Sequence, residues 1–499
     1  MLFESLFKHA DAKPHEIAVT DDTGSYSWQQ FAAAAAGLGM YLRVQTDRPR
    51  VGLLLPTSMG FAASFYGTLL AGKAVVPINF LLGEREVQHI IKDSDIDTIV
   101  SIPLLSARLK ETPLKIVDLQ QLQKMAPPPG AVTPHFPEVK ADDMCVLMYT
   151  SGTSGLPKGV QISYQNLSSD VDSSIEHAQL KGSHRFLGIV PLFHSTGLLA
   201  TLVAPVKLGA AMIYQARFSP VAVVKAIREQ QISLLVAVPS MYGALARLKD
   251  AGPDDVKSLY AAISGGEPLP SNIRIAFEKK FGIPIYEGYG LTETIGPIAF
   301  NVPGAIKPGA VGKIIPNAEV RITDEEGKAV AQGGSGEVWL RGPMIMQGYH
   351  NLPDESTKAL TADGYFKTGD LGHIDNEGYL HITGRKKDII IVAGEKAAPR
   401  EIEEVIMKHP AVADVAVVGK KDPSRGEVVV AFMTAKPGQQ IRADEIRDFC
   451  RQQGLAQWKV PREVFVEEKL PVSPTGKVLK RELQARVNSA PAASSSEGA

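Results

Sequence analysis

The residues best suited to chemistry lie together at 149–160, in the string YTSGTSGLPKGV. Thr150, Ser151, Thr153 and Ser154 surround Gly152 and Gly155, and Lys158 follows. Glycines let successive backbone N–H groups turn toward one anion, hydroxyls add donors, and a lysine adds a point charge. The spacing predicts a loop that grips phosphate. It is not a Walker loop, because Pro157 stands before the lysine where that loop needs glycine. It is not a dinucleotide fingerprint, since the string has no G-x-G-x-x-G pattern. No Ser-His-Asp or Cys-His arrangement points to nucleophilic catalysis.

The string resembles the signature of the adenylate-forming superfamily, which contains acyl-CoA synthetases, adenylation domains of peptide synthetases and luciferases. Further segments follow in that family's order, from about residue 25 to 485. SGGEP at 264–268 is similar to the adenine-side loop and supplies Gly265, Gly266 and Glu267. YEGYGLTET at 286–294 is similar to the second nucleotide motif, and TGD at 368–370 to the ribose motif. GRKKD at 384–388 resembles the interdomain hinge, continued by Gly394, Pro399 and the acidic run at 401–403. PVSPTGK at 471–477 resembles the C-terminal lysine motif.

The chemistry of that family suits these residue types. A carboxylate oxygen must attack the α-phosphate of ATP while pyrophosphate leaves. Two anions meet, so cations and oriented donors matter more than a protein nucleophile. The resemblance implies ATP and coenzyme A as co-substrates. It implies Mg²⁺ at Thr150 and Glu293, hard oxygen ligands suited to an ion shared with phosphates. It implies that Asp370 accepts two hydrogen bonds from the ribose diol, with Arg385 beside it. Tyr289 and Gly290 would lie against the adenine or acyl group, and Thr292 near the α-phosphate. Lys477 would bridge the substrate carboxylate and that phosphate. His194, in PLFHSTG, joins Lys477, Glu293 and Thr292 as a catalytic candidate. Phe193, His194, Leu198, Val238, Met241, Gly288 and Ile298 are the candidate acyl-binding residues. Lys387 and Gly394 are the candidate hinge and coenzyme A residues.

Five features bear on the acid or on its acceptor. Amino-acid-activating relatives carry an Asp shortly after the Phe of this segment. Here His194, Ser195, Thr196 and Gly197 follow Phe193, so an α-amino acid is not expected. Ile391 stands where luciferases and plant phenolic-acid ligases usually have Lys, which favours aliphatic acids. The insertion of relatives that stop at acyl-adenylates for polyketide machinery is absent. AGEKAAP at 393–399 departs from the usual SGxNIYP, and Tyr164 replaces a common His. The expected substrate is a medium- or long-chain fatty acid. An acyl-carrier protein as acceptor, and a homodimer, remain open. A binding protein without turnover would not need Lys477, Glu293 and Asp370 together.

The elements that must position these residues are legible in outline. Helical and strand patterns alternate through 27–102: helix at 27–43, 58–71 and 84–92, strand at 50–55, 74–77 and 97–102. They return between 220 and 263. Such alternation predicts βαβ units and a mostly parallel sheet. From about Val311, short Gly-punctuated strands suggest an antiparallel β subdomain. After Lys387 comes a compact α+β unit with helices at 400–408, 443–453 and 480–487. The expected fold is α/β: a large N-terminal region of doubly wound units plus the β subdomain (1–384), a hinge (385–388), a small mobile C-terminal domain (389–486) and a disordered tail (487–499). A Pro-rich stretch at 126–137 reads as a linker or surface crossing.

Composition narrows the class. With 499 residues the chain exceeds one compact core. Lys plus Arg total 53 against 54 for Asp plus Glu, which excludes nucleic-acid binding driven by bulk charge. Two cysteines exclude a disulfide scaffold and make the cytoplasm the expected compartment. The apolar stretch 198–213 is broken by Lys207 and is too short to span a bilayer. The N-terminal segment has Glu4 and no apolar core, so no signal peptide is expected.

Overall fold

A computed structural model describes residues 2–109, 113–125, 136–150, 156–472 and 478–489. The chain divides into two compact units. The first comprises residues up to 269, 276–320 and 339–367; the second comprises 270–275, 321–338 and the chain from 368 onward.

The first unit carries two sheets. In one, the strands Ile285–Gly290, Ala261–Ser264, Leu234–Ala237, Arg185–Gly188, Ala211–Tyr214 and Ile17–Asp21 lie side by side and parallel. Antiparallel strands flank them: Gly24–Ser27 at one end, Pro297–Phe300 and then Gly312–Ile314 at the other. In the second sheet, Met144–Thr150, Ala74–Pro77, Arg50–Leu54, Thr98–Ser101 and Lys115–Asp118 run parallel. Lys158–Ser163 returns antiparallel to Met144–Thr150, and Gly348–Tyr349 pairs beyond it. The parallel strands read as continuous apolar runs because both of their faces are covered.

The helix expected at 27–43 runs Trp28–Gln45, with Ser27 outside as its N-cap. Ser27 Oγ accepts from the Gln30 N–H, and Gln30 Oε1 accepts from the Ser27 N–H. That reciprocal pair satisfies two otherwise unpaired donors. Ser58 caps Met59–Leu70 in the same manner on one side. These two helices touch through small residues. A Cβ on Gly39 would sit 2.9 Å from Leu70 Cβ, and one on Gly67 would sit 2.9 Å from Ala35 O. The apolar stretch 198–213 folds as short helical segments, including a π-helical turn at Leu199–Val203, and then a strand.

In the second unit the hairpin Phe366–Ile374 and Tyr379–Arg385 enters from residue 368. A sheet of Glu395–Ala397, Ile390–Val392, Gly426–Ala435 and Val412–Asp422 follows, with Glu463–Val466 parallel to Gly426–Ala435. Side chains alternate across it as the two-residue strand period demands. Val415, Val417, Val429 and Ala431 pack with Ile402, Ile406, Ile446 and Cys450 on one face. Ala416, Val418, Val430 and Phe432 pack with Leu483 and Val487 on the other. The helices that supply these residues are Pro399–Ile406, Ala443–Gln452 and Lys480–Ser489, the last extending two residues past the expected end. Most of the Pro-rich stretch 126–137 lies outside the described residues.

Candidate active site

In open α/β sheets, ligand crevices form beyond the carboxyl ends of parallel strands. The first unit places a large group of the sequence-selected residues there. Val238 follows Leu234–Ala237, and Gly265, Gly266 and Glu267 follow Ala261–Ser264. Gly288, Tyr289 and Gly290 end the strand Ile285–Gly290, with Thr292 and Glu293 in the next turn. Gly266 adopts φ +81, which glycine tolerates, and a Cβ there would lie 3.8 Å from Val238 Cγ1. Met241 N donates to Val238 O at 3.0 Å, so Val238 and Met241 share the first turn of the helix Pro239–Ala246.

The turn at 291–296 is tightly specified. Thr294 Oγ1 accepts from the Leu291 N–H at 2.9 Å and lies 2.7 Å from Gly296 O. Ile295 has φ 57, a left-handed conformation that is costly for a β-branched residue. Gly290 must be glycine, because a Cβ there would meet Gly296 O at 2.1 Å. The strained turn holds Glu293 from both ends. Met346 N donates to Glu293 O, and Tyr349 Oη donates to Glu293 Oε1, both at 2.8 Å.

Thr150 and Lys158 face each other across the Met144–Thr150 and Lys158–Ser163 hairpin. Between them, Ser151, Gly152, Thr153, Ser154 and Gly155 lie outside the described residues. Lys158 Nζ pairs with Glu355 Oε2 at 2.8 Å and sits 5.3 Å from the centre of the Tyr349 ring. The hydrogen bonds from Lys158 and Lys358 hold the Glu355 carboxyl down at about 2. Glu355, Lys158, Tyr349 and Glu293 thus form one polar chain from the end of the glycine-rich segment to the candidate metal carboxylate. Sequence reading selected Lys158 and Glu293 and missed Tyr349 and Glu355. A lone Tyr and a helical Glu, nearly 200 residues from Lys158, carry no local signal.

His194 stands at the N-cap position of the short helix Ser195–Leu198, half-buried, with its Nε2 shielded from solvent. Burial lowers its pKa to about 4, so the imidazole is neutral at pH 7, and its Nε2 has no hydrogen-bond partner among the described residues. Its ring lies 4.7 Å from that of Phe193, which meets Phe80 edge-on at 5.1 Å. Leu198 and Ile298 are fully buried.

The second unit brings Asp370 and Arg385 together. They are directly opposed in the hairpin, and Arg385 Nε lies 3.3 Å from Asp370 Oδ1. Asp370 is 4% exposed. Its segment is organised by Thr368, whose Oγ1 donates to Val338 O at 2.7 Å and accepts from the Asp370 N–H at 2.9 Å. Gly369 supplies φ +71, and its N–H donates to Glu337 Oε1. Glu337 also pairs with Lys386 Nζ at 2.9 Å. Lys387 sits in the single turn Lys386–Asp388 that joins the hairpin to the small sheet. Ala393 and Gly394 form a two-residue loop between Ile390–Val392 and Glu395–Ala397, with φ 52 and 88. Two positive φ values in a two-residue hairpin define a type I′ turn. Lys477 lies outside the described residues.

Among the described residues, no three His, Cys, Asp or Glu side chains are grouped to hold a metal. Among the described residues, no helix is long and apolar enough to cross a membrane.

The chain matches the AMP-binding enzyme family over residues 6–350 and the AMP-binding enzyme C-terminal domain over 401–477. It is 33% identical over 476 residues to a long-chain-fatty-acid–CoA ligase of Bacillus subtilis, covering 87% of this chain and 85% of that one. It is 31% identical over 491 residues to a feruloyl-CoA synthase of an Amycolatopsis species, covering 96% and 97%. The crystal structure of ATP-bound MatB from Rhodopseudomonas palustris superposes with a TM-score of 0.90 at 27% identity, covering 97% of this chain and 98% of that one. The chain therefore belongs to the AMP-binding enzymes, within the acyl-CoA ligases, an acid–thiol ligase class.

Proposed function

We propose that this enzyme joins a medium- or long-chain aliphatic acid to coenzyme A at the expense of ATP, releasing AMP and pyrophosphate. In the first step a carboxylate oxygen forms a bond to the α-phosphorus, and the bond to the β-phosphate bridging oxygen breaks. In the second, the thiolate of coenzyme A attacks the acyl carbon, and the bond to the AMP oxygen breaks. The relatives act on acids as unlike as a long-chain fatty acid and a ferulic acid, so kinship alone does not choose the acid. The choice rests on Ile391, on the apolar set around Phe193, and on the missing acid after Phe193.

The observation that carries the reading is the turn at 291–296. A strained β-branched residue, an obligatory glycine and a tyrosine hydroxyl all serve to fix one carboxylate, Glu293. Strain of this kind persists where surrounding structure over-determines it, at sites of function. Glu293 and Thr150 are a sparse set of hard oxygen donors. That fits Mg²⁺, which takes one or two protein ligands and fills its shell with water and phosphate oxygens. When bound, the ion offsets charge on the phosphates. Lys158 and Thr292 would hold the phosphates, and Lys477 would bring the two reacting anions together. Asp370 would accept from the ribose hydroxyls, and Arg385, 3.3 Å away, would keep its carboxylate oriented. His194, neutral, would line the acyl side as a hydrogen-bonding but uncharged wall.

In this reading the hinge is 385–388, between a body at 1–384 and a mobile domain at 389–486. The Gly394 turn serves the thiol step, and Lys477 the adenylation step. The cytoplasm is the compartment that fits two buried, unpaired cysteines. The deciding experiment is a pyrophosphate-release screen over carboxylic acids, with and without coenzyme A, with thioester measured in parallel. Pyrophosphate without thioester would show that another acceptor, such as an acyl-carrier protein, takes the acyl group.

A further inference from the structure

Both ends of the glycine-rich segment rest on one helix, Glu84–Asp93. Its apolar side anchors it: Val87, Ile90 and Ile91 pack with Leu54, Val76 and Leu147 of the second sheet. His89 and Asp93 are four residues apart and so share a face of the helix. His89 Nε2 lies 2.9 Å from Pro157 O, and a carbonyl only accepts, so the imidazole donates. Asp93 Oδ2 accepts from Tyr149 Oη at 2.7 Å. Pro157 directly precedes Lys158, and Tyr149 directly precedes Thr150. The His89 and Tyr149 rings also meet edge-on, their centres 6.4 Å apart.

Asp93 has a second partner. Asn351 Nδ2 donates to Asp93 Oδ1 and to Asp93 O, each at 3.2 Å. Asn351 stands two residues after Tyr349, and between them His350 N donates to Gly159 O at 2.7 Å. One carboxylate therefore touches both the residue before Thr150 and the segment whose Tyr349 holds Glu293. Asp93 is the last residue of its helix, where the dipole disfavours negative charge, so its place there is not set by helix stability. Burial, with the bond to Asp93, pushes the Tyr149 hydroxyl above its usual pKa, and it stays a donor.

We propose that Asp93 is a positioning residue for adenylation: it sets Thr150 relative to Glu293, so that both oxygens meet the same Mg²⁺ on ATP. His89 does the same for the approach of Lys158. Neither side chain touches a reacting atom. Each acts by holding groups in place before ATP arrives, so that binding need not order them. The assignment rests on the reading of 149–160 as the phosphate-gripping segment and of Thr150 and Glu293 as metal ligands.

The test is calorimetric titration of the whole enzyme with MgATP and with ATP in EDTA, beside separate assays of the two half-reactions. Asp93→Ala and Tyr149→Phe should each weaken MgATP binding on the order of tenfold, the scale of one hydrogen bond to a charged group. Binding of ATP in EDTA should weaken less, because the Thr150 to Glu293 spacing matters only with the metal. Thioester formation from a supplied acyl-adenylate should keep its rate in both variants, which separates misplacement from misfolding. Asp93→Asn sets one amide N–H against the Asn351 amide and should also weaken MgATP. Combining it with Asn351→Asp restores a donor and an acceptor and should recover part of the affinity, which a general packing defect would not allow. His89→Gln, which keeps an N–H near the Nε2 position, should bind MgATP better than His89→Ala. Unchanged MgATP affinity in Tyr149→Phe, equal weakening with and without metal, or equal loss in both half-reactions would overturn the proposal. Undiminished adenylation in Lys158→Ala would instead defeat the placing of the phosphates on this segment, and the proposal with it.

Discussion

The carboxyl group of Asp170 occupies the space that a side chain on Gly296 would need. A Cβ built on Gly296 would lie 2.3 Å from Asp170 Oδ1 and 2.7 Å from Leu199 Cδ1. Asp170 is fully buried on the helix Tyr164–His177, its Oδ1 hydrogen-bonded to Ser174 Oγ and its Oδ2 without a hydrogen-bond partner among the described residues. It thus supports from below the turn that carries Glu293.

Gly296→Ala should cost about 1–3 kcal/mol of stability, the usual effect of overfilling a packed interior. Because the clash is mainly with one side chain, the cost should shrink when Asp170→Ala is combined with it. A denaturation double-mutant cycle measures that coupling. Strict additivity would show that the two residues do not share this space.

Burial raises the Asp170 pKa well above its ordinary value, so the folded state favours the neutral acid. A raised folded pKa gives stability that is complete below the unfolded value near 4 and lost as pH climbs toward the folded one. Asp170→Asn, neutral at every pH, has no such loss. The variant should gain on the unaltered enzyme by up to about 1.4 kcal/mol per pH unit above pH 4. Unfolding midpoints measured from pH 5 to 8.5 check this, and parallel curves for the two proteins would exclude a neutral Asp170.

Glu293→Gln should lower adenylation on the order of 10²-fold, since an amide is a poor Mg²⁺ ligand beside phosphates. Tyr349→Phe removes the hydroxyl that holds Glu293 and should cost about tenfold. The double variant should be little worse than Glu293→Gln alone, because both losses act on one carboxylate. Pyrophosphate release against Mg²⁺ concentration is the measurement. Multiplying losses would place Tyr349 in a separate role.

Lys477→Ala should cripple adenylate formation while largely sparing thioester formation from a supplied acyl-adenylate. Lys387→Pro fixes φ near −65° and should harm one half-reaction more than the other. Each half-reaction is assayed separately. Equal loss of both steps in Lys477→Ala would refute alternating use of the small domain.

Unbranched aliphatic acids should support pyrophosphate release far better than α-amino acids, because no acid follows Phe193 to hold an ammonium group. Faster turnover with amino acids would reverse the reading of the acyl side.

The sequence alone determined the class of chemistry and the order of its parts. Strings such as YTSGTSGLPKGV, GLTET and TGD are local: glycine, hydroxyl and charge must be near neighbours in the chain to serve one phosphate or one diol. The alternating helices and strands were legible for the same reason, since caps such as Ser27 and apolar periods act over a few residues. Tertiary structure decided which distant groups complete those parts. Tyr349 reaches Glu293 and Glu355 reaches Lys158 because a short strand at Gly348–Tyr349 pairs with Lys158–Ser163, and nothing near Tyr349 in sequence announces it. Asp170 reads as an ordinary polar helix position until folding buries it under Gly296. Such pairings depend on packing between elements far apart in the chain, and a linear pattern holds no record of that distance.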